Sequence, residues 1–424
     1  MKKKINMMNW AKEIFPYHRS LTGIGTLKTL LFIKKKINKK FKIKSVKSGK
    51  KAFDWKIPLE WSIKNASVNY EGKKIIDLKD NNLHILQYSK SFKGKISYNE
   101  LRKHLYFIKK KPNAIPYVTS YYKKKWGFCI SYNQFKKLKK TGKYDIHIDS
   151  KLTKGRMNYG EYFLKGKSKK EILIVSYICH PSMANNELSG ILLLMSLIKS
   201  LKKSKYSVRI LLIPETIGAI YFIEKNLIHL KKNLIAGFNL TCIGDNGKFS
   251  IVKSVNENSY ADYLVKRIFN HKETNYYSYL LRGSNERQFG CQNLNLPFVT
   301  ISRTLYGKYS QYHTSEDNLD FISEKNLKKS LNKIISLINE IQKNDIYVKK
   351  INCEPFLTKY KLMKSTNFSP GKITKFNSDL LNVVTYVEKS KDLKVLSEFL
   401  KIRKNKLNEI INILVNKKII EKFI

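Results

Sequence analysis

The sequence predicts an α/β protein: a mostly parallel sheet with helices on both faces, interrupted by a mainly β insertion and followed by a helical C-terminal unit. Three observations carry this. EILIVSYI (171–178), VRILLIP (208–214), LIAGFNLTCIG (234–244) and LPFVTIS (296–302) are continuous apolar runs, not alternating ones. Strands covered on both faces read this way. Helix-length segments lie between them, GILLLMSLIKSLKK (190–203), GAIYFIEKN (218–226), SYADYLVKRIFN (259–270) and SEKNLKKSLNKIISLINEIQ (323–342), so strand and helix alternate. Between about 49 and 154 the pattern changes to short runs with Gly and Asn turns, among them NASVNYEG, KKIIDL, NLHILQYS and WGFCISY, as a mainly β module requires.

The remaining elements follow in order. IGTLKTLLFIKKKI (24–37) spaces Leu27, Leu30, Leu31, Ile33 and Ile37 as one helix face would, and FKIKSV (41–46) alternates as a strand. Within the insertion, SYNELRKHLYFI predicts a helix with Ser97 as N-cap and Glu100 three positions on. At the end, DLLNVVTYVEK (379–389), DLKVLSEFL (392–400) and KLNEIINILVNKK (406–418) predict three short amphipathic helices before IIEKFI. That layout resembles a winged helix-turn-helix. The expected division is 1–48 and 155–345 for the α/β unit, 49–154 for the insertion and 346–424 for the C-terminal unit.

Composition limits the function classes. Of 83 basic residues only nine are arginine, and the lysines are spread along the whole chain. Arginine is the better residue for bidentate phosphate and base contacts, so the charge of +51 reads as a solvated, compositionally biased surface. No specific nucleic acid is expected. The segment RKNKLNEIINILVNKK carries a single arginine, Arg403, which favours packing or homo-oligomerisation for the C-terminal unit over DNA reading. Cys129, Cys179, Cys242, Cys291 and Cys353 are odd in number and far apart, so neither a disulfide framework nor a cysteine zinc knuckle is expected. Apolar runs fall short of the roughly 20 residues that span a bilayer, and no signal peptide is evident; a cytoplasmic protein without membrane insertion is the expectation.

Ligands in doubly wound sheets gather beyond the carboxyl ends of the strands. The polar residues in those places are His180, Glu215, Asp245 and, within YHTSEDN, His313. Two imidazoles and two carboxylates from separate loops are the raw material of a hydrolytic zinc site, with a non-ligand glutamate free to take a proton from water.

The ordered segments RSLTGIGTLKTL, FDWKIPLEW, LHILQYS, IPYVTSYYKKKWGFC, YICHPSMANNELSG, LLIPETIGAI, CIGDNG, RGSNERQFG and YHTSEDN resemble bacterial aminopeptidase-like proteins of the DUF4910/DUF2172 type. These are similar to the M28 zinc aminopeptidases, with a small inserted β domain and a C-terminal winged helix. The resemblance implies a hydrolase of an amide or peptide bond, with a small peptide or acylated amino sugar as substrate and a link to surface polysaccharide biosynthesis. It implies His180 and Asp245 as ligands on one metal, His313 as a metal ligand, and Glu215 as general base. Glu187 or Glu286 would meet a substrate amine, and Arg287 a carboxylate, phosphate or sugar acid. Asp317 would hold the loop.

The departures from the M28 pattern are equally specific. Asn186 and Glu187 stand where an Asp-Asn or Asp-Asp pair is expected, Thr216 where a second glutamate is, and Asn285 where an aspartate is. An amide carries no charge to hold two cations together, so one zinc is expected, on His180, Asp245 and His313. The alternative is a peptidase-shaped binding or scaffold protein. The aromatic residues Trp55, Trp61, Tyr117, Tyr121, Tyr122 and Trp126 of the insertion suit either a core or a ligand wall.

Overall fold

The computed structural model describes residues 6–37, 40–362, 374–388 and 391–423. Its centre is an eight-stranded sheet in the order Lys42–Lys47, Arg156–Leu164, Tyr206–Ile213, Ser168–Tyr177, Leu234–Leu240, Phe298–Ser302, Phe249–Val252 and Thr274–Tyr277. The four central strands, from Tyr206–Ile213 to Phe298–Ser302, run parallel. Antiparallel pairing enters where Arg156–Leu164 meets Tyr206–Ile213 and where Phe249–Val252 meets Phe298–Ser302.

The apolar runs are explained by burial on both faces. Along Ser168–Tyr177, Ile172 and Ile174 join one core, with Leu192, Leu193 and Leu197 of the helix Ser189–Ser200 and Leu337 of the helix Glu324–Lys343. Leu173, Val175 and Tyr177 join the other, with Phe222 and Ile223 of the helix Ile217–Asn233 and residues of the insertion. Residues 189–198 are all buried, and each such leucine contributes about 1.5–3 kcal/mol of hydrophobic stabilisation.

The insertion folds around a four-stranded antiparallel sheet, Lys73–Asp77, Glu60–Tyr70, Lys143–Thr153 and Phe92–Ser97. Trp61 and Trp126 lie in its core, whereas Trp55 and Tyr122 are exposed. The helix expected at 97–108 is only Tyr98–Arg102, although Ser97 accepts from the Glu100 N–H as an N-cap should. It stops where Leu105–Tyr106 pairs with Phe128–Cys129 as a short strand, and His104 stacks on Trp126, 3.6 Å between ring centroids. In the first helix, Ile24–Lys36, Leu30 and Ile33 are buried but Leu31 faces outward.

At the C-terminus the helices Lys375–Tyr386, Leu393–Leu400 and Lys404–Asn416 pack around Leu380, Val384, Leu396, Leu407 and Ile411. The last strand, Ile420–Lys422, pairs antiparallel with Tyr347–Lys349, the layout expected of a winged helix-turn-helix. Asp392 fastens this unit to the sheet domain. One carboxylate oxygen caps the Val395 N–H, and the other accepts from Tyr260 at 2.8 Å and Arg267 at 3.2 Å. Among the described residues no helix is long and apolar enough to cross a membrane, and all five cysteines are free.

Candidate metal and catalytic site

Three loops at the carboxyl ends of the parallel strands are tied together by two side chains. After Tyr177 the chain makes a wide turn over 184–188 before entering the helix Ser189–Ser200. Asp317 clamps that turn: its carboxylate accepts from the Asn185 N–H at 2.6 Å and the Asn186 N–H at 3.0 Å, and its backbone oxygen from Ala184. Burial pushes the Asp317 carboxyl up to about 6, against the pull of those N–H donors. Asn185 then reaches the third loop, donating to Asp245 at 2.8 Å and accepting from the Gly244 N–H at 2.9 Å.

His180, His313 and Glu215 meet within this frame. The two imidazole rings are 5.5 Å apart. Nε2 of His180 lies 3.9 Å from Oε2 of Glu215, and Ser284 donates to the other oxygen of that glutamate at 2.8 Å. Thr216, at φ +63°, turns the chain into the next helix immediately after Glu215. Burial raises the Glu215 carboxyl above its ordinary range, opposed by His180, Ser284 and Arg287. His313, on a backbone at φ +56°, is driven down to about 3 by burial and by His180. It is therefore neutral, and its Nε2 is buried without a hydrogen-bond partner.

The insertion supplies one wall. Tyr117 sits with its ring 5.0 Å from His180 and 5.1 Å from His313. Its N–H donates to the His313 carbonyl at 2.8 Å, Pro116 bridges Thr314, and the Ser315 N–H donates to the Ile115 carbonyl. Tyr312 stacks on His313 at 3.9 Å between ring centroids. Of the aromatic residues singled out in the sequence, Tyr117 is thus the one that touches both histidines.

The remaining candidates occupy different places. Glu187 is fully buried: Oε1 accepts from Arg19 Nε at 2.7 Å, and Oε2 from the backbone N–H groups of Cys179 and His180, while lying 3.3 Å from His180 Nδ1. Glu286 is also fully buried, accepting from Gly283, Ser284, Tyr306 and Thr300. Both carboxylates are committed to the protein's own donors, which leaves them poorly placed to receive a substrate amine. Arg287 is exposed; it donates to Thr216 Oγ1 at 2.9 Å and makes no ion pair with Glu286 or Asp317.

Asp245 departs most from expectation. Among the described residues, the group whose ligand atoms all lie within 4.8 Å of one another is Cys179, His180 and Glu187; His180, Asp245 and His313 do not form such a group, and neither do His180, Glu215 and His313. The physical reason is the turn after the strand Leu234–Leu240. Cys242 adopts φ +48°, and Asp245 lands where both its oxygens are taken by Asn185, Gly247 and Thr304.

The buried Cys179, His180 and Glu187 group could hold one metal ion. Its Glu187 is already held by Arg19 and two N–H groups, and burial keeps the Cys179 thiol protonated. A carboxylate at Nδ1 is the usual means of orienting a histidine that binds metal through its other nitrogen. The unpartnered Nε2 of His313 beside His180 fits one ion on that opposite side. It does not fit two. Asn186 offers no charge there: its Oδ1 accepts from Tyr177, which also bonds Thr241, and its Nδ2 is a buried donor without a partner.

Arg19 and the Tyr177–Thr241 pair carry no role in the sequence reading. Arg19 had a visible signal, as one of nine arginines and the first residue of RSLTG. Tyr177 and Thr241 look like ordinary strand residues.

Comparison with known proteins places this geometry in a family. Residues 8–344 match the model described as "Domain of unknown function (DUF4910)". A Clostridium acetobutylicum protein, named for polysaccharide biosynthesis and an aminopeptidase-like domain, is 40% identical over 357 residues, 83% of this chain and 81% of its own. A crystal structure from Clostridium acetobutylicum, named as a peptidase, superimposes with a TM-score of 0.79 at 34% identity, covering 98% of this chain and 96% of that one. A zinc aminopeptidase from Bacillus subtilis shares the fold at TM-score 0.55 and 13% identity, covering 80% and 96%. The chain belongs to the DUF4910 family and has the M28 aminopeptidase-like fold, with an inserted β-rich region and a C-terminal helical region.

Proposed function

We propose that the protein is a zinc-dependent hydrolase of an amide or peptide bond, acting on a small peptide or an acylated amino sugar during surface polysaccharide biosynthesis. The observation that carries this reading is the neutral, unpartnered His313 imidazole beside His180, with Glu215 facing His180 across 3.9 Å. His180 and His313 would hold the ion. A bound zinc polarises a carbonyl and lowers the pKa of water to near 7.

The chain's own groups supply the rest. Glu215, with one oxygen anchored by Ser284, would take a proton at its other oxygen from the water that adds to the carbonyl carbon, and return it to the amine as the C–N bond breaks. Tyr117 and Tyr312 flank the imidazoles and hold the rings in place. Arg287 stands exposed beside Thr216, available to an acidic group on the substrate. The name of the Clostridium acetobutylicum relative supports the polysaccharide setting.

A second reading has its own observation. Asn186 places a neutral amide, with an idle buried donor, where a carboxylate would gather metal, and this favours a binding protein that keeps the fold without the reaction. Metal content of the full chain, purified without chelator and exposed to zinc, separates the two. The hydrolase reading expects about one zinc per chain, and Glu215→Gln keeping that zinc while losing turnover about 10²-fold or more. A chain that stays metal-free in excess zinc overturns it.

A further inference from the structure

The residues that follow Asp245 line a second cavity, a cleft of about 600 Å³ bordered by Lys248, Glu273, Arg303, Lys329 and Lys333. Four cations and one carboxylate converge there, and among the described residues none of the four cations has a carboxylate within ion-pair distance. Lysines alone would mean little in this chain. Arg303 is the informative member. Only 8% of it is exposed, its Nε donates to the Gly247 carbonyl at 3.0 Å, and its guanidinium lies 4.7 Å above the ring of Phe249.

A guanidinium this buried with no direct ion-pair partner is costly to hold, and burial lowers its hold on its proton, against the opposing pull of nearby Asp245. Packed between Phe249 and a backbone carbonyl, it is a fixed fork of donors, the geometry that suits phosphate oxygens. Part of the lining is one stripe of the helix Glu324–Lys343, where Lys329, Asn332, Lys333 and Ser336 recur at spacings of three and four. The volume lies within the roughly 300–1,000 Å³ typical of small-molecule sites, larger than a bare anion needs.

We propose that this cleft binds the diphosphate group of a small organic ester, with Arg303 as the rigid contact and Lys248, Lys329 and Lys333 as the surrounding charges. The site stands apart from the hydrolase reading: none of these side chains shares a hydrogen bond or ion pair with His180, Glu215 or His313.

Calorimetric titration of the full chain at 150 mM NaCl with inorganic pyrophosphate and with a nucleoside diphosphate tests it. Both ligands are expected to bind saturably at one per chain, the nucleoside diphosphate at least as tightly. Arg303→Gln is expected to weaken binding about tenfold or more. Lys329→Gln with Lys333→Gln is expected to do the same, with the melting temperature of the variant measured alongside because Lys333 also donates to the Ile268 carbonyl. Lys137→Gln with Lys139→Gln, beside a separate cleft in the insertion, is expected to change nothing. Absence of saturable binding, equal loss in the 137/139 control, or no loss in the 329/333 variant overturns the proposal. Binding confined to pyrophosphate overturns the organic part of it.

Discussion

Replacing Arg19 or Glu187 removes one half of an ion pair in which both side chains have zero exposure. Arg19 also donates to the Ile14 carbonyl at 2.6 Å, and Glu187 also receives the N–H groups of Cys179 and His180. Removing one partner from such a buried pair costs about 3–5 kcal/mol, because the other charge is stranded. Arg19→Met should fall at the low end, about 3 kcal/mol, since Glu187 keeps two backbone donors. Glu187→Gln should fall nearer 5, since Arg19 keeps only a carbonyl and the two backbone N–H groups lose their charged acceptor. For a domain of this size 1 kcal/mol moves Tm by roughly 2–4 °C, so single variants should melt roughly 6–20 °C below wild type. The double variant has no stranded charge and should lose at least about 2 kcal/mol less than the sum of the singles. Calorimetric melts of the four full-length chains give the coupling. Zinc titration gives a second readout, because Glu187 also orients the His180 ring: Glu187→Gln should weaken zinc about 10–100-fold. Strictly additive melting temperatures would show that the pair is not the unit that holds this turn, and the reasoning fails.

Three further outcomes follow from other parts of the molecule. Asn186→Asp exchanges an idle amide donor for a carboxylate and should tighten zinc about tenfold or more in the same titration; unchanged affinity would place residue 186 outside the metal's reach. His18, enclosed by Trp61 and Gln87, is lowered to about 4 by burial and by neighbouring Arg19. The unfolded chain then binds the extra proton between pH 6.5 and 4, so stability is fully present above 6.5 and falls by up to about 3 kcal/mol as pH drops to 4. His18→Gln should flatten that window of the stability profile, and an unchanged slope refutes the assignment. Asp392→Ala removes a helix cap and leaves the Tyr260 hydroxyl unpaired, costing about 2–4 kcal/mol; limited proteolysis should then release the C-terminal helices much faster than in wild type, whereas equal cleavage rates would show that Asp392 does not fasten them.

What could be read from the sequence depended on how local each cause was. Ile172 and Leu173 point to opposite cores, so the stretch 172–175 is apolar at every position and betrays its parallel neighbours without any alignment. His180 and Glu215 closely follow strand ends, and that position alone put them at the same end of the sheet, where their side chains meet. Asp245 sits five residues beyond its strand, and a left-handed Cys242 with partners at 185 and 304 redirects it; no local pattern encodes that. Glu187 and Glu286 read as free carboxylates because their side-chain donors lie far off in sequence, Arg19 at 168 residues from Glu187 and Tyr306 at 20 from Glu286, and no pattern marks the nearer backbone N–H groups that also reach them. The helix at 97 had its cap written in Ser97 but its end written elsewhere, in the 126–129 segment that pairs with Leu105–Tyr106 and stacks on His104.

The stitch between residues 115–117 and 313–315 bears on how this protein can change over evolutionary time. The small β module arrives early in the chain, yet it grips the very backbone that presents the late histidine. A foreign module grafted at its borders would displace that imidazole unless a matching 313–315 segment travelled with it. The two stretches are therefore bound to be inherited as a pair.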